Sequence, residues 1–217
     1  MPRTADHDLR RAQIAAAVQR IIAHAGFDAA TMAAVAREAG ISVGLVQHYF
    51  TSKDELLRYA YERMTADQLA RVGRLIAAGE ADRQPIRAIL LRCMPELWPL
   101  DDARRGEYRV GRVFLARSLD NPTIADLARR TAAVVRAQIA RAVENGKECG
   151  EVEPDTDAEL AATELAALTE GLADDLYREP GRAAGERPVG DAAAAILQAR
   201  LAVLFPGECR HYSSTGR

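Results

Sequence analysis

The chain has 217 residues, enough for a substantial core and for one or two domains. A net charge of −2, with 28% of residues charged, excludes a uniformly basic nucleic-acid binder, so an anionic partner must meet a local patch. Hydrophobic residues make up 48% but aromatics only 5%, with no alternating runs of strand formers, which favours an all-α fold.

Cys93, Cys149 and Cys209 are dispersed and odd in number, which is no disulfide framework. No apolar run approaches the roughly 18 residues of a membrane span. The opening MPRTADHDLRR lacks the apolar stretch of a signal peptide. These features predict a cytoplasmic protein with free thiols and no membrane partner.

The first predicted helix covers 9–25, with Ile14, Val18, Ile21 and Ile22 on one face and Gly26 as its stop. Thr31 can cap a second helix over 32–39, closed by Gly40. Ser42 can cap a short third helix over 43–49. Ser52 with Glu55 reads as a capping box opening a fourth, to about residue 77. Further helices are predicted over about 85–94, 102–118, 122–145, from Asp155 or Thr156 to 178, and 190–204. Residues 179–191 read as a loop and 206–217 as a frayed tail. The count is about nine helices, in an expected division of 1–51, 52–205 and a tail 206–217.

Two short helices joined through Ala39-Gly40-Ile41-Ser42 have the shape of a helix-turn-helix. Gly40 can adopt the positive φ of a sharp reversal, and Ile41 would plug the core between the helices. Helix 43–49 is then the element to enter a DNA major groove. Val43 and Gly44 are small and allow close approach. Ser42 can offer its hydroxyl to phosphate, and the Gln47 amide suits an adenine edge. His48 and Tyr49 can donate to phosphate oxygens. Thr31 and Lys53, each at a helix start, would grip the strand on either side. The first 58 residues hold seven Arg or Lys against six Asp or Glu, so placement must make the patch.

Residues 12–57 resemble the DNA-binding domain of the TetR family of transcriptional regulators. The likeness lies in "AGFDAAT" and "MAAVAREAGISVGLVQHYFTSKDELL", most specifically in the run His48-Tyr49-Phe50 and in Lys53, Asp54, Glu55 and Leu56. Where many members have tyrosine two residues before the Tyr49-Phe50 pair, this chain has Gln47, which leaves the operator open. The resemblance implies an all-α homodimer. Its N-terminal helix-turn-helix domain binds double-stranded operator DNA, and its larger C-terminal helical domain binds a small-molecule effector and dimerises. It implies a ligand-responsive repressor. The alternative is a helical sensor or interaction protein that has lost DNA binding, in keeping with the near-neutral charge of the first 58 residues.

Residues 99–127 look more loosely like the BetI-like branch of that family, whose best-known members sense choline. Trp98, Tyr108, Phe114 and Tyr177 are the aromatics available to a pocket, besides Phe205 and Tyr212. Each can equally be ordinary core. Arg105, Arg109 and Arg112 share a helical face that suits an anionic effector or a solvated stripe paired with Asp101 and Glu107. For the dimer, Ala161, Leu165, Leu168, Leu172 and Leu176 form one apolar stripe. Ala193, Ile196, Leu197, Leu201 and Leu204 form another, and two such helices per subunit suit a four-helix bundle.

No P-loop, G-x-S-x-G, H-E-x-x-H or G-x-G-x-x-G pattern occurs, so no enzyme, no catalytic residue and no cofactor is expected. The histidines, at 7, 24, 48 and 211, are scattered. Cys209 with His211 is too small a donor set for a metal, so none is expected.

Overall fold

The computed structural model describes the backbone of residues 2–211 and the side chains of 7–211. Tyr212 and the rest of 212–217 lie outside the described residues. Among the described residues the fold is all-α, with nine helices: α1 Pro2–Ala25, α2 Met32–Ala39, α3 Val43–Tyr49, α4 Lys53–Ala81, α5 Ile86–Cys93, α6 Asp102–Ser118, α7 Pro122–Cys149, α8 Ala158–Arg178 and α9 Val189–Leu204. A short 3-10 turn, Met94–Leu97, continues α5, and two two-residue strands form a hairpin before α9.

The chain divides into two compact units, Met1–Asp67 with Asp101–Ala128, and Gln68–Leu100 with Arg129–Arg217. The first is built on Ile14, Val18 and Ile22 of α1, which meet Val35 of α2, Val46 of α3, Leu56 and Leu57 of α4, and Val110 and Phe114 of α6. In the second, α9 packs against α5 and α8 over Leu165, Leu197 and Leu201, all essentially without solvent exposure.

Helix ends shift, with α1 beginning at Pro2 rather than 9 and α8 capped by Asp157 rather than Asp155 or Thr156, and three further sequence expectations change. Gly146 does not stop α7, which runs on to Cys149. The glycine is needed because a Cβ there would lie 2.6 Å from Val152 Cγ2 and 3.0 Å from Phe205 Cε1. Residues 189–191, read as loop, open α9 instead, and the preceding hairpin turns at Gly185 with φ 66°. Residues 206–210, read as frayed, are pinned: Gly207 N–H donates to Glu151 O at 3.1 Å and Arg210 N–H to Cys149 O at 2.8 Å.

Within the first unit, α6 holds the other helices at two points. In its middle turns, Arg109 donates to the Ala23 carbonyl in the last turn of α1 at 3.0 Å. There Gly106 faces Ala23 so closely that a Cβ would come within 2.9 Å of the alanine Cβ. Near its end, Arg117 clasps Asp54 in the first turn of α4, at 3.0 Å from Oδ2 and 3.2 Å from Oδ1. Asn121 donates to the same carboxylate at 3.1 Å while its own Oδ1 caps α7. The Arg117 hydrogen bonds hold the Asp54 carboxyl below its ordinary 3.8, against the opposing effect of burial.

A carboxyl held low stabilises the fold above its unfolded-state pKa, and the contribution fades as pH falls through the folded-state value. Arg117→Ala should therefore lower the melting temperature slightly near neutrality, as for a solvent-screened pair. The difference from wild type should shrink as the pH is taken below 3.8. Thermal melts stepped through acid pH check this; a difference that stays constant would assign the effect to packing of the arginine stem.

Candidate nucleic-acid interface

The turn between α2 and α3 closes as its residues dictate. Thr31 Oγ1 accepts from Ala34 N at 3.1 Å and starts α2. Gly40 adopts φ 68°, and the chain reverses with Ile41 N–H bonded to Ala36 O at 2.9 Å. Ser42 Oγ then accepts from Leu45 N at 3.2 Å and starts α3. From α1, Gln13 Nε2 reaches the Ala39 carbonyl at 2.6 Å and fixes the end of α2. Arg20 Nε meets Glu38 Oε1 at 2.6 Å and ties the same two helices.

Val46 and Phe50 are fully buried and clamp α3 from below. Ser42, Val43, Gly44, Gln47 and His48 are consequently exposed together on the opposite side, and no carboxylate lies in α3. Tyr49 is half-buried, its ring 4.9 Å from that of His7 and 5.3 Å from that of His48. Lys53 is half-buried, with its ammonium 3.9 Å above the Phe27 ring centre.

The capping box at α4 forms one residue out of its expected register. Glu55 N–H donates to Ser52 Oγ at 3.0 Å, but the Glu55 carboxylate accepts from the amide and hydroxyl of Thr51, at 2.9 and 2.8 Å, rather than from Ser52. These bonds hold the Glu55 carboxyl below the usual carboxylate range. Sequence patterns missed Arg11. Its guanidinium lies 4.5 Å from the ring centres of both Phe50 and Tyr59 and 3.6 Å from Glu55, so α1 grips the residue that ends α3. The signal is weak in sequence because the partners stand about 40 residues away.

The residues offered for an effector pocket divide between the two units. On α6, Phe114 is fully buried and stacks on Tyr61 with centroids 3.7 Å apart, so that ring is core. Arg109 is half-buried and donates from Nη1 to the Ala23 carbonyl of α1. Arg112 is exposed and Tyr108 half-buried. In the second unit Trp98 is 1% exposed, and its indole N–H meets no acceptor among the described residues; Tyr177 is half-buried.

The two apolar stripes need a similar correction. Ala161, Leu165 and Leu176 on α8, and Ala193, Leu197, Leu201 and Leu204 on α9, are buried within the protomer's own core. Leu168 and Leu172 are half-buried. Ile196 is the one stripe residue that is well exposed, at 47%, and it is joined by Leu160 at 68% and Val203 at 69%. A helix that is apolar nearly all round, as α9 is, gives no periodicity from which to choose the outward side.

Two family models match the chain. Residues 14–60 match the model described as bacterial regulatory proteins of the tetR family, and residues 85–206 the model for the C-terminal domain of BetI-type transcriptional repressors. The chain is 32% identical over 179 residues to the HTH-type transcriptional regulator BetI of Burkholderia thailandensis, covering 79% of this chain and 84% of that one. A crystal structure of a transcriptional regulator from Rhodococcus sp. RHA1 is 30% identical with a TM-score of 0.73, covering 90% of this chain and 96% of that one. A transcriptional regulator from Saccharomonospora viridis in complex with choline is 25% identical with a TM-score of 0.74, covering 87% of this chain and 93% of that one.

Proposed function

Because the chain belongs to the TetR family of bacterial regulatory proteins and carries a BetI-type C-terminal domain, we propose that it is a ligand-responsive repressor. It binds double-stranded operator DNA as a homodimer and leaves when a small-molecule effector binds. The matched proteins are transcriptional regulators rather than enzymes. The observation that carries the reading is the outward set Ser42, Val43, Gly44, Gln47 and His48 on a doubly anchored α3. Residues 1–51 serve as the DNA-reading domain and 52–205 as the effector and dimer domain.

On a duplex, Val43 and Gly44 admit the backbone into the major groove, and Gln47 pairs donor and acceptor with an adenine edge. Ser42, His48 and Tyr49 reach phosphate oxygens, with Thr31 and Lys53 on the flanks. Lys53 exchanges the Phe27 ring for a phosphate. A partly exposed cation–π contact is worth only about 0.5–1 kcal/mol, so the exchange is easy.

The effector acts by population shift, with a coupling of roughly 1–3 kcal/mol between sites. Its route is α6, whose Arg109 and Arg117 hold the end of α1 and the start of α4. Tyr108, Arg112 and Tyr177 remain candidates for effector contact. A quaternary ammonium such as the choline bound by the S. viridis protein requires open aromatic faces. Phe114 offers none while stacked on Tyr61, and Trp98 is buried, so choline is not carried over to this chain.

The dimer uses the outward faces of α8 and α9. Leu160, Ile196 and Val203 supply exposed apolar area, with half-buried Leu168 and Leu172 beside them. The alanines of α9 let backbones approach closely in a four-helix bundle. Glu164 and Arg200, paired at 2.5 Å, link the two helices.

Lys53→Ala should weaken binding to all DNA sequences and reduce the slope of log affinity against log salt by about one phosphate contact. Fluorescence anisotropy across a salt series measures it, and an unchanged slope removes Lys53 as a clamp. Gln47→Ala should alter the selected operator, with a loss of roughly 1–3 kcal/mol at one base position. Binding-site selection that returns the same motif for both chains would exclude Gln47 as a reader. Ile196→Arg with Val203→Arg should give folded monomers, whereas Leu197→Arg, at a position 1% exposed, should unfold the domain. Light scattering with circular dichroism separates these outcomes, and a dimer of the double variant would refute the interface.

A further inference from the structure

The second unit gathers three donor side chains that DNA reading does not use. Cys149 Sγ, a Glu151 carboxylate oxygen and Cys209 Sγ all lie within 4.8 Å of one another. The three residues are 4%, 1% and 7% exposed. Cys149 Sγ stands 3.5 Å from Glu151 Oε1.

These groups are held in place from several directions. The Glu151 oxygens accept from Ile86 N at 2.8 Å and Arg87 N at 3.1 Å, the opening amides of α5. The two backbone bonds from Gly207 and Arg210 stitch the segment carrying Cys209 to the turn carrying Cys149 and Glu151. Glycine is required for that approach, because a Cβ on residue 207 would sit 2.1 Å from Gly150 O. Such outer-shell bonds are what orient metal-ligating carboxylates.

We propose that Cys149, Glu151 and Cys209 form a site for a thiophilic divalent cation of tetrahedral preference, zinc in chemical type, with water as fourth ligand. Bonds of about 2.3 Å make tetrahedral edges of about 3.7 Å, so the donors need close by only about 1 Å. Burial, with a lesser contribution from the Cys209 side chain and against a backbone hydrogen bond at Glu151, pushes the Cys149 thiol up to about 11. Without metal the Cys149 thiol is therefore protonated. The cation takes up two thiolates and releases two protons to solvent, with no change of oxidation state. The resulting ligand set and ion carry one net negative charge, and the Arg210 side chain packed over Gly150 supplies a neighbouring positive one. The bound ion would tie the end of α7 to the segment after α9. The raised Cys149 pKa also disfavours the thiolate attack that a redox disulfide requires.

Cadmium titration of the full-length, reduced and metal-stripped chain tests the site. The expected result is one cadmium per chain, an ultraviolet thiolate-to-cadmium charge-transfer band, two protons released and a higher melting temperature. In competition with a chromophoric chelator, Cys209→Ser and Glu151→Gln should each weaken zinc binding by about tenfold or more. Cys93→Ser should leave it unchanged. If Cys209→Ser loses its helicity, the band and proton count of the wild type decide the matter. Absence of the band at equimolar cadmium, or its dependence on Cys93, overturns the proposal. So does a Cys149–Cys209 disulfide formed with diamide by a chain that takes up no cadmium when reduced.

Discussion

A helix of seven residues does not persist in water by itself, since nucleation costs more than so few hydrogen bonds return. The α3 segment exists because it is held at three points. Ser42 begins it, Val46 anchors its middle in the core, and Phe50 closes it under the Arg11 guanidinium. Everything that Gln47 and His48 offer to solvent depends on that clamp.

The same logic extends to α6. This helix is part of the span read as regulatory, yet it shares the first unit's core through Val110 and Phe114. It grips the end of α1 with a single hydrogen bond and the start of α4 with an ion pair reinforced by Asn121. The residue beside Asp54 is Lys53, so a shift of α6 acts within one residue of the side chain proposed to grip a DNA strand. The proposed coupling between a ligand and DNA would need only a small change at this bracket, because a packed core passes displacement on rather than absorbing it.

Much of the helix-turn-helix was legible because its determinants are local. Thr31, Gly40 and Ser42 act on backbone groups three or four residues away, and propensity reasoning captures that range. The all-α class followed from composition in the same way. What escaped was set at long range. Gly146 looked like a stop until Val152 and Phe205 were seen to crowd it. The bond from Arg109 to the Ala23 carbonyl, 86 residues away in sequence, has no local signal. The stripes on α8 and α9 were visible, but whether each leucine faces its own core or a partner is a tertiary question that one chain's periodicity cannot answer. The Cys149, Glu151 and Cys209 grouping was equally invisible, since Cys209 approaches only through the pinned segment after α9.

Tryptophan occurs once in the chain, at Trp98, buried and with no acceptor for its indole N–H among the described residues. Its emission is thus a single-site signal from the second unit, blue-shifted in a dry setting and free of overlap from any other indole. The unit that carries α3 contains no indole of its own. The molecule thereby carries a built-in, label-free optical reporter of one of its two units alone.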